Sequence, residues 1–80
     1  MPKSAHTRRY DAFRALLVEA RVNAGLTQAA LARKLGRPQS FVSKFERGER
    51  RLDVVEFLDV ARAVGVDPAR IVTALTRAAS

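Results

Sequence analysis

The sequence predicts an all-α protein, a bundle of five helices in a single domain that spans residues 1–80. Apolar residues recur at three- and four-residue steps, and no segment shows the sustained two-residue alternation of a half-buried strand. The length of 80 residues allows one small hydrophobic core. Each of the four glycines lies where a helical pattern stops: Gly25, Gly36, Gly48 and Gly65. Residues 1–6 and 78–80 fall outside these patterns, and we expect them to be loosely attached.

The first two helices are predicted from one apolar face and one cap. The first helix extends from about Thr7 to Ala24. Its apolar face comprises Tyr10, Phe13, Leu17, Ala20 and Ala24. Thr27 is the predicted N-cap of a second helix over residues 28–35. Because Ala30 stands where a capping box needs Glu or Gln, this helix start depends on the threonine alone.

The third helix is predicted from Pro38 to about Arg47, after a turn at Gly36. Proline fits the first position of a helix because the N–H that it lacks would have no partner there. Val42 and Phe45 are the inward residues of this helix. Glycine at the preceding turn permits the positive φ that a tight connection between two helices needs.

The last two helices are predicted from their caps. Asp53 and Glu56 have the spacing of a capping box, which starts the fourth helix. Its predicted apolar stripe comprises Val54, Leu58 and Ala61, with Phe57 beside it. Asp67 and Pro68 supply a cap and a first-position proline for a fifth helix that ends at about Arg77. Its apolar face comprises Ile71, Val72 and Leu75.

The composition argues against several classes of protein. The chain has no cysteine and one histidine, His6, so we expect no disulfide, metal site or cofactor. It offers no nucleophile beside a base and no phosphate-binding glycine loop, so we expect no enzyme. No apolar run approaches the ~20 residues that span a membrane, and Arg8, Arg9 and Asp11 interrupt any signal-peptide core. We therefore expect a cytoplasmic protein with no membrane partner.

The charge of the chain is positive and unevenly distributed. Fifteen Lys and Arg residues against eight Asp and Glu residues give a net charge of +7. Residues 33–51 carry seven basic and two acidic side chains, net +5, whereas residues 52–80 carry three basic and four acidic, net −1. A local excess of this kind favours a polyanionic partner: nucleic acid, an anionic membrane or an acidic protein. A membrane is disfavoured because the basic face lacks an apolar flank.

Residues 28–47 have the spacing of a helix-turn-helix. Two short helices are joined by a glycine turn, and Ala32 is small where the helices must approach closely. The side chains spaced to meet between them are Leu31, Leu35, Val42 and Phe45. In such a motif the first helix lies across the DNA backbone and the second enters the major groove. The alternative is an ordinary helical hairpin in a small bundle.

Two segments resemble the Xre family, also called the phage lambda repressor and Cro-like family: LTQAALARKLG at 26–36 and QSFVSKFERGER at 39–50. The resemblance covers roughly residues 10–72. It implies a five-helix lambda-repressor-like bundle that binds DNA, usually as a homodimer on an inverted repeat. The sequence departs from the pattern at Ala30, where the family frequently has an acidic residue, and at 37–38, where Arg-Pro makes a stiffer turn.

The outward positions of the third helix form one polar face, which comprises Gln39, Ser40, Ser43, Lys44 and Arg47. Glutamine can pair with adenine through two hydrogen bonds, and lysine can reach guanine O6 and N7. The alternative is a face that is merely solvated. The resemblance implies base contacts at Gln39, Ser40 and Lys44, and we include Ser43 because it lies on the same face.

Five other residues are expected to contact DNA phosphates: Gln28, Arg37, Arg47, Arg50 and Arg51. The resemblance implies the role of the glutamine, which starts the second helix and steadies the third. Such contacts position a protein on DNA but do not read the sequence. For Arg33 and Lys34, phosphate contact and mere solubility remain equal alternatives. The resemblance also implies a partly buried structural ion pair between Arg21 and Glu46.

Two functions follow as expectations. The first is a sequence-specific transcriptional regulator, a repressor that binds a palindromic DNA operator as a homodimer and is associated with the nucleoid. The dimer candidates lie on the fifth helix: Ile71, Val72 and Leu75. The alternative is an antitoxin of the same fold that binds a partner toxin and represses its own operon. The sequence alone separates these two functions poorly.

Overall fold

A computed structural model describes residues 7–77 of the chain. It contains five helices: α1 (Arg8–Asn23), α2 (Gln28–Leu35), α3 (Gln39–Glu46), α4 (Val54–Val64) and α5 (Pro68–Arg77). Within the described range there is no strand, so the predicted all-α, five-helix architecture is confirmed. The expectations for residues 1–6 and 78–80, and for His6, lie outside the described residues.

Side chains cap the starts of α1, α2 and α4. The caps of α2 and α4 were predicted, whereas Thr7 was predicted as the first residue of α1 and is its N-cap. Thr7 and Thr27 accept hydrogen bonds through Oγ1 from the N–H groups of Tyr10 and Ala30, each at 3.0 Å. At the start of α4, Asp53 Oδ1 accepts from the Glu56 N–H at 2.7 Å, and Glu56 Oε1 accepts from the Asp53 N–H at 3.0 Å. Each of these bonds satisfies a backbone N–H that has no carbonyl partner within the helix.

The prediction for Pro38 was wrong by one position. Pro38 has φ −63° and ψ 153°, an extended conformation, and it is the N-cap of α3 rather than its first residue. Because proline lacks a side-chain acceptor, no side chain caps this helix. Arg47, the predicted last residue, is the C-cap. Helix α3, the recognition-helix candidate that we expect to enter the major groove, is therefore one residue shorter at each end than predicted.

The core is formed by one cluster to which all five helices contribute. Its fully buried large side chains are Phe45, Leu17, Leu31, Val42 and Val60. Helix α1 contacts α3, α4 and α5, and α2 packs between α3 and α4. Helix α3 packs mainly against α2 and α1, and its opposite side, which carries Gln39, Ser40 and Lys44, is exposed.

The apolar stripe predicted for α4 was right for Ala61 and for Phe57 beside it, and wrong for Val54 and Leu58. Val54 and Leu58 are 72% and 46% exposed, whereas the buried residues are Phe57, Val60, Ala61 and Val64. The buried residues follow the i, i+3, i+4, i+7 pattern of one helix face. This face is rotated about the helix axis relative to the predicted stripe. Helix α4 packs against α1, α2 and α5, and the neighbours on both sides set this orientation.

Two other apolar faces differ in part from expectation. Ala24 is exposed because it is the C-cap of α1, beyond the face that packs inward. On α5, Ile71 is 5% exposed and belongs to the core, and Leu75 packs against that core. Val72 is 51% exposed. Among the predicted dimer candidates, Ile71 is therefore buried away from any partner, whereas Val72 has exposed surface that a partner can contact.

Candidate nucleic-acid interface

The α2–α3 pair has the geometry of a helix-turn-helix. Leu31, Val42 and Phe45 have no exposed surface, and Ala32 is 3% exposed where the helices approach. Gly36 ends α2 with φ +69° and ψ 32°, a left-handed conformation that L side chains rarely adopt. This glycine lets the chain turn between α2 and α3 over three residues, Gly36, Arg37 and Pro38.

The outer face of α3 carries exposed polar side chains. Gln39, Ser40 and Lys44 are exposed, and Ser43 is half-buried. The Ser43 hydroxyl donates to the Ser40 carbonyl oxygen at 3.3 Å. The first three side chains therefore present donors and acceptors to solvent, whereas the Ser43 hydroxyl proton is already engaged within the helix.

The structure brings Arg21 and Glu46 together. The Arg21 Nε donates to Glu46 Oε2 at 2.7 Å and its Nη2 donates to Oε1 at 3.1 Å. The carboxylate side chain is 6% exposed and the guanidinium side chain 13% exposed. Arg21 Nη1 also donates to the Leu26 carbonyl oxygen at 2.8 Å. The pair thus joins α1, the α1–α2 connection and the last residue of α3.

Two further residues bind Glu46. Gln28, predicted to contact phosphate, donates through Nε2 to Glu46 Oε1 at 2.9 Å. Arg14 donates through Nη1 to the Glu46 carbonyl oxygen at 2.6 Å, and through Nε to Asp11 Oδ1 at 3.1 Å. The sequence reasoning missed Arg14, although Arg14 and Arg21 lie seven residues apart on one face of α1. That spacing is the signal that could have found it.

A charged cluster, which we call the Phe41 cluster, comprises Arg37, Arg50, Glu56 and the ring of Phe41. Glu56 Oε2 accepts from Arg37 Nη2 at 3.2 Å and from Arg50 Nη2 at 2.8 Å, and Oε1 accepts from Arg50 Nη1 at 2.9 Å. The guanidinium carbons of Arg37 and Arg50 lie 4.3 and 4.9 Å from the ring centroid of Phe41, within the range of cation–π attraction.

These contacts shift the ionisation of Glu56. The Arg50 guanidinium, followed by the Asp53 N–H, lowers the pKa of Glu56 from 4.5 to about 2. In return, the hydrogen bond to Glu56 raises the pKa of Arg50. From the sequence, Glu56 was identified only as part of a cap and Phe41 was not placed inward. The cluster was missed because arginines that are distant in sequence give no periodic signal.

The remaining predicted phosphate ligands lie beyond the end of α3. Arg47 pairs with Glu49 through Nε at 3.0 Å and Nη2 at 3.2 Å, an exposed pair that lowers the pKa of Glu49 through this hydrogen bond. The guanidinium of Arg51 lies 4.5 Å from the ring centroid of Tyr10. The structure places Arg47, Arg50 and Arg51 in one loop segment and Arg37 in the turn before α3.

The remaining features of the described residues concern membrane spans, metal sites and grooves. From residue 7 to residue 77, no helix has the length and apolar character to cross a membrane. The same range holds no group of acidic or histidine side chains arranged to bind a metal ion. An open groove of about 460 Å³ lies between α1 and α5, with the α4–α5 connection at one side, and none of its lining residues belongs to α2 or α3.

Comparisons with known proteins match this geometry. The family described as "Helix-turn-helix domain" matches residues 12–74. The XRE-family like protein from Pseudomonas syringae pv. tomato str. DC3000 is 54% identical, with a TM-score of 0.85 over 90% of this chain and 88% of that one. The chain belongs to the Xre family of helix-turn-helix regulators. The resemblance in the sequence is thereby confirmed.

Two structures of restriction-modification controller proteins are also similar to this chain. The restriction-modification controller protein C.AhdI from Aeromonas hydrophila is 34% identical, with a TM-score of 0.71 over 78% of this Xre-family chain and 94% of that one. The controller protein C.Esp1396I, solved as a tetramer with its natural 35 base-pair operator, is 19% identical, with a TM-score of 0.78 over 90% and 95% of the chains. The second likeness shows the fold alone. Among curated proteins, none matches the chain.

Proposed function

We propose that this Xre-family protein is a sequence-specific transcriptional repressor that inserts α3 into the major groove of its operator. One observation carries the proposal: Gln39, Ser40 and Lys44 are exposed on the side of α3 that lies opposite its contacts with α2 and α1. This helix lies within residues 33–51, which carry a net charge of +5. Exposed polar side chains on such a helix suit the donors and acceptors of base edges, and the surrounding charge suits the phosphates.

The proposed contacts divide into two kinds. Gln39, Ser40 and Lys44 contact bases, and Ser43 contributes less because its hydroxyl bonds within α3. The phosphate ligands are the flanking cations together with Gln28: Arg37, Arg47, Arg50 and Arg51. The Gln28 amide N–H bonds Glu46, so Gln28 steadies α3 and approaches phosphate through its remaining N–H.

We propose a homodimer on a palindromic operator, since a single helix-turn-helix reads only a few base pairs. Val72 is 51% exposed, and α4 adds Val54 and Leu58 at 72% and 46%. These apolar side chains lie in residues 52–80, which carry a net charge of −1, so two copies repel little there. C.Esp1396I, a protein of the same fold, forms a tetramer on its operator.

A partner toxin is the second candidate. The groove between α1 and α5 is lined by no residue of α2 or α3. A protein bound there would leave α3 free, which an autoregulating antitoxin needs. Co-expression with the product of an adjacent small reading frame tests this function: a stoichiometric complex that still binds DNA supports it, and separate elution opposes it.

Selection of bound duplexes from a random pool tests the main proposal. This selection reports the sequence, the symmetry and the half-site spacing of the bound DNA in one experiment. We expect an inverted repeat with half-sites about one helical turn, ~10 base pairs, apart. Enrichment of no sequence would contradict a sequence-specific repressor, and enrichment of a single asymmetric site would contradict the homodimer.

A further inference from the structure

The Phe41 cluster contains one carboxylate between two of the cations that flank α3. We propose that Glu56 is an internal competitor for DNA phosphate, which limits the charge that Arg37 and Arg50 offer to the DNA backbone. The inference rests on the proposed DNA-binding function and adds to it a residue that sets the sequence-independent part of the affinity.

The hydrogen bonds of Glu56 engage both carboxylate oxygens. Oε2 receives one N–H from Arg37 at 3.2 Å and one from Arg50 at 2.8 Å. Oε1 receives the second N–H from Arg50 at 2.9 Å and the backbone N–H of Asp53 at 3.0 Å. Two guanidinium groups bound to one carboxylate resemble two guanidinium groups bound to one phosphate, because both anions accept paired N–H donors.

The ring of Phe41 fixes where the two cations lie. Phe41 is 8% exposed and belongs to α3, directly after Ser40. Its ring centroid lies 4.3 Å from the Arg37 guanidinium and 4.9 Å from that of Arg50. The cations are therefore held beside the recognition-helix candidate, where a DNA backbone would pass if α3 entered the major groove.

The charge of the cluster follows from its members. Two guanidinium groups and one carboxylate give +1, where the arginines alone would give +2. Arg37 and Arg50 side chains are 42% and 41% exposed, so phosphate can reach them, whereas the Glu56 side chain is 12% exposed. The carboxylate remains ionised at neutral pH because its pKa is about 2. A DNA phosphate that binds Arg37 and Arg50 therefore shares them with the ionised carboxylate of Glu56.

Glu56→Gln removes the charge and keeps the cap, since glutamine also serves at this position of a capping box. Affinity for a random duplex is measured by fluorescence anisotropy at several salt concentrations. Without the carboxylate, one more arginine charge is available to a phosphate. We therefore expect the slope of log K against log salt to become more negative by about 0.9 and the affinity to rise about fivefold at 0.15 M salt. The selected operator gains the same factor, because the effect acts on the backbone term alone.

Glu19→Gln is the matched control. It makes the same change of charge at an exposed position of α1, in the groove that no residue of α2 or α3 lines. We expect the wild-type slope from this variant. If Glu56→Gln shows the same slope as Glu19→Gln, or weaker binding, the competitor role is overturned. If the wild type binds no duplex even at low salt, the DNA-binding function itself fails, which is a different result.

Arg37→Ala keeps the proposal testable if circular dichroism shows that Glu56→Gln does not fold. Arg37 is exposed on the turn before α3, so its removal spares the core. The cluster then falls from +1 to zero, and we expect a slope less negative by about 0.9. An unchanged slope would overturn the proposal.

Discussion

The Arg21 guanidinium bonds the Glu46 carboxylate through two nitrogens, at 2.7 and 3.1 Å, and Glu46 is 8% exposed. Glu46 is the last residue of α3, and Arg21 lies in the last turn of α1. The pair thus fixes one end of the recognition-helix candidate to the longest helix of the bundle. Gln28 bonds the same carboxylate from the start of α2, so three helices meet at one buried anion.

Glu46→Ala is expected to destabilise the fold by about 3 kcal/mol, because removing one partner of a buried pair leaves the other charge unpaired. The lower end of the usual range applies, since the arginine retains the Leu26 carbonyl oxygen as an acceptor. Urea unfolding measures the loss. A double-mutant cycle with Arg21→Ala isolates the interaction, and a coupling energy near zero would show that the pair contributes nothing to stability.

Local signals in the sequence predicted most of the fold. Thr27 and the Asp53–Glu56 box are caps whose chemistry acts over three residues, and both start helices where predicted. The wrong predictions depend on packing. The apolar residues of α4 offer two overlapping stripes, and contacts with α1, α2 and α5 decide that Val60 lies inside and Leu58 outside. Periodicity within one helix carries no information about that choice.

The candidate site divides in the same way. The outward face of α3 follows from helical geometry once Val42 and Phe45 are placed inside, and the structure leaves Gln39, Ser40 and Lys44 exposed. The Phe41 cluster joins a turn, a loop and the start of α4, which are up to 19 residues apart in sequence. No local pattern links these residues, so the Phe41 cluster had to come from the structure. The Arg21–Glu46 pair is also distant in sequence, but the family resemblance implied it.

Arg51→Ala is expected to weaken binding to all DNA sequences and to reduce the salt slope by about one unit, because each phosphate contact releases about one counterion. Arg50→Ala is expected to have a similar effect. Anisotropy titrations against operator and random duplex measure both. The exposed Arg62 of α4 lies outside the basic segment and serves as the matched control. A slope equal to that of Arg62→Ala would remove either arginine from the proposed backbone contacts.

The stability that Glu56 contributes is expected to depend on pH. The folded-state pKa of about 2 lies below the ordinary 4.5, so this contribution is complete above pH 4.5 and is lost as the pH falls toward 2. At pH 7 we expect Glu56→Gln to be less stable by about 1–2 kcal/mol. Hydrogen bonds to charged groups are worth about 1.5–3 kcal/mol, and solvent screens part of this because the Arg37 and Arg50 side chains are 42% and 41% exposed. Thermal unfolding of both proteins between pH 7 and 2 measures the difference. A difference that persists at pH 2 would contradict this origin.

Val72→Asp is expected to convert the proposed dimer into a folded monomer and to weaken binding to a palindromic site. Val72 is 51% exposed, so the charge affects a partner rather than the core. Sedimentation and circular dichroism measure assembly and folding. Thr73→Asp, at the next exposed position of α5, is the matched control. Leu75→Asp tests folding instead, because Leu75 packs against the core. A wild type that stays monomeric at high concentration would contradict the dimer.

Lys44→Ala is expected to weaken operator binding by about 1–3 kcal/mol and to relax base preference, because Lys44 is exposed on the face of α3 proposed to contact base edges. Titrations against operator and random duplex measure both effects. Arg62→Ala, at an exposed position of α4 outside the basic segment, is the control for loss of one positive charge. If Lys44→Ala weakened both duplexes equally, Lys44 would be a phosphate ligand.

The most direct test of base reading by α3 combines this variant with altered DNA. In the selected operator, each guanine in turn is replaced by 7-deazaguanine, which lacks the N7 acceptor of the major groove. We expect the wild type to lose roughly tenfold in affinity at one guanine of each half-site, and Lys44→Ala to bind the altered and unaltered operators equally. Wild-type affinity that is unaffected by every replacement, or a Lys44→Ala variant that keeps the full loss, would contradict major-groove reading by Lys44.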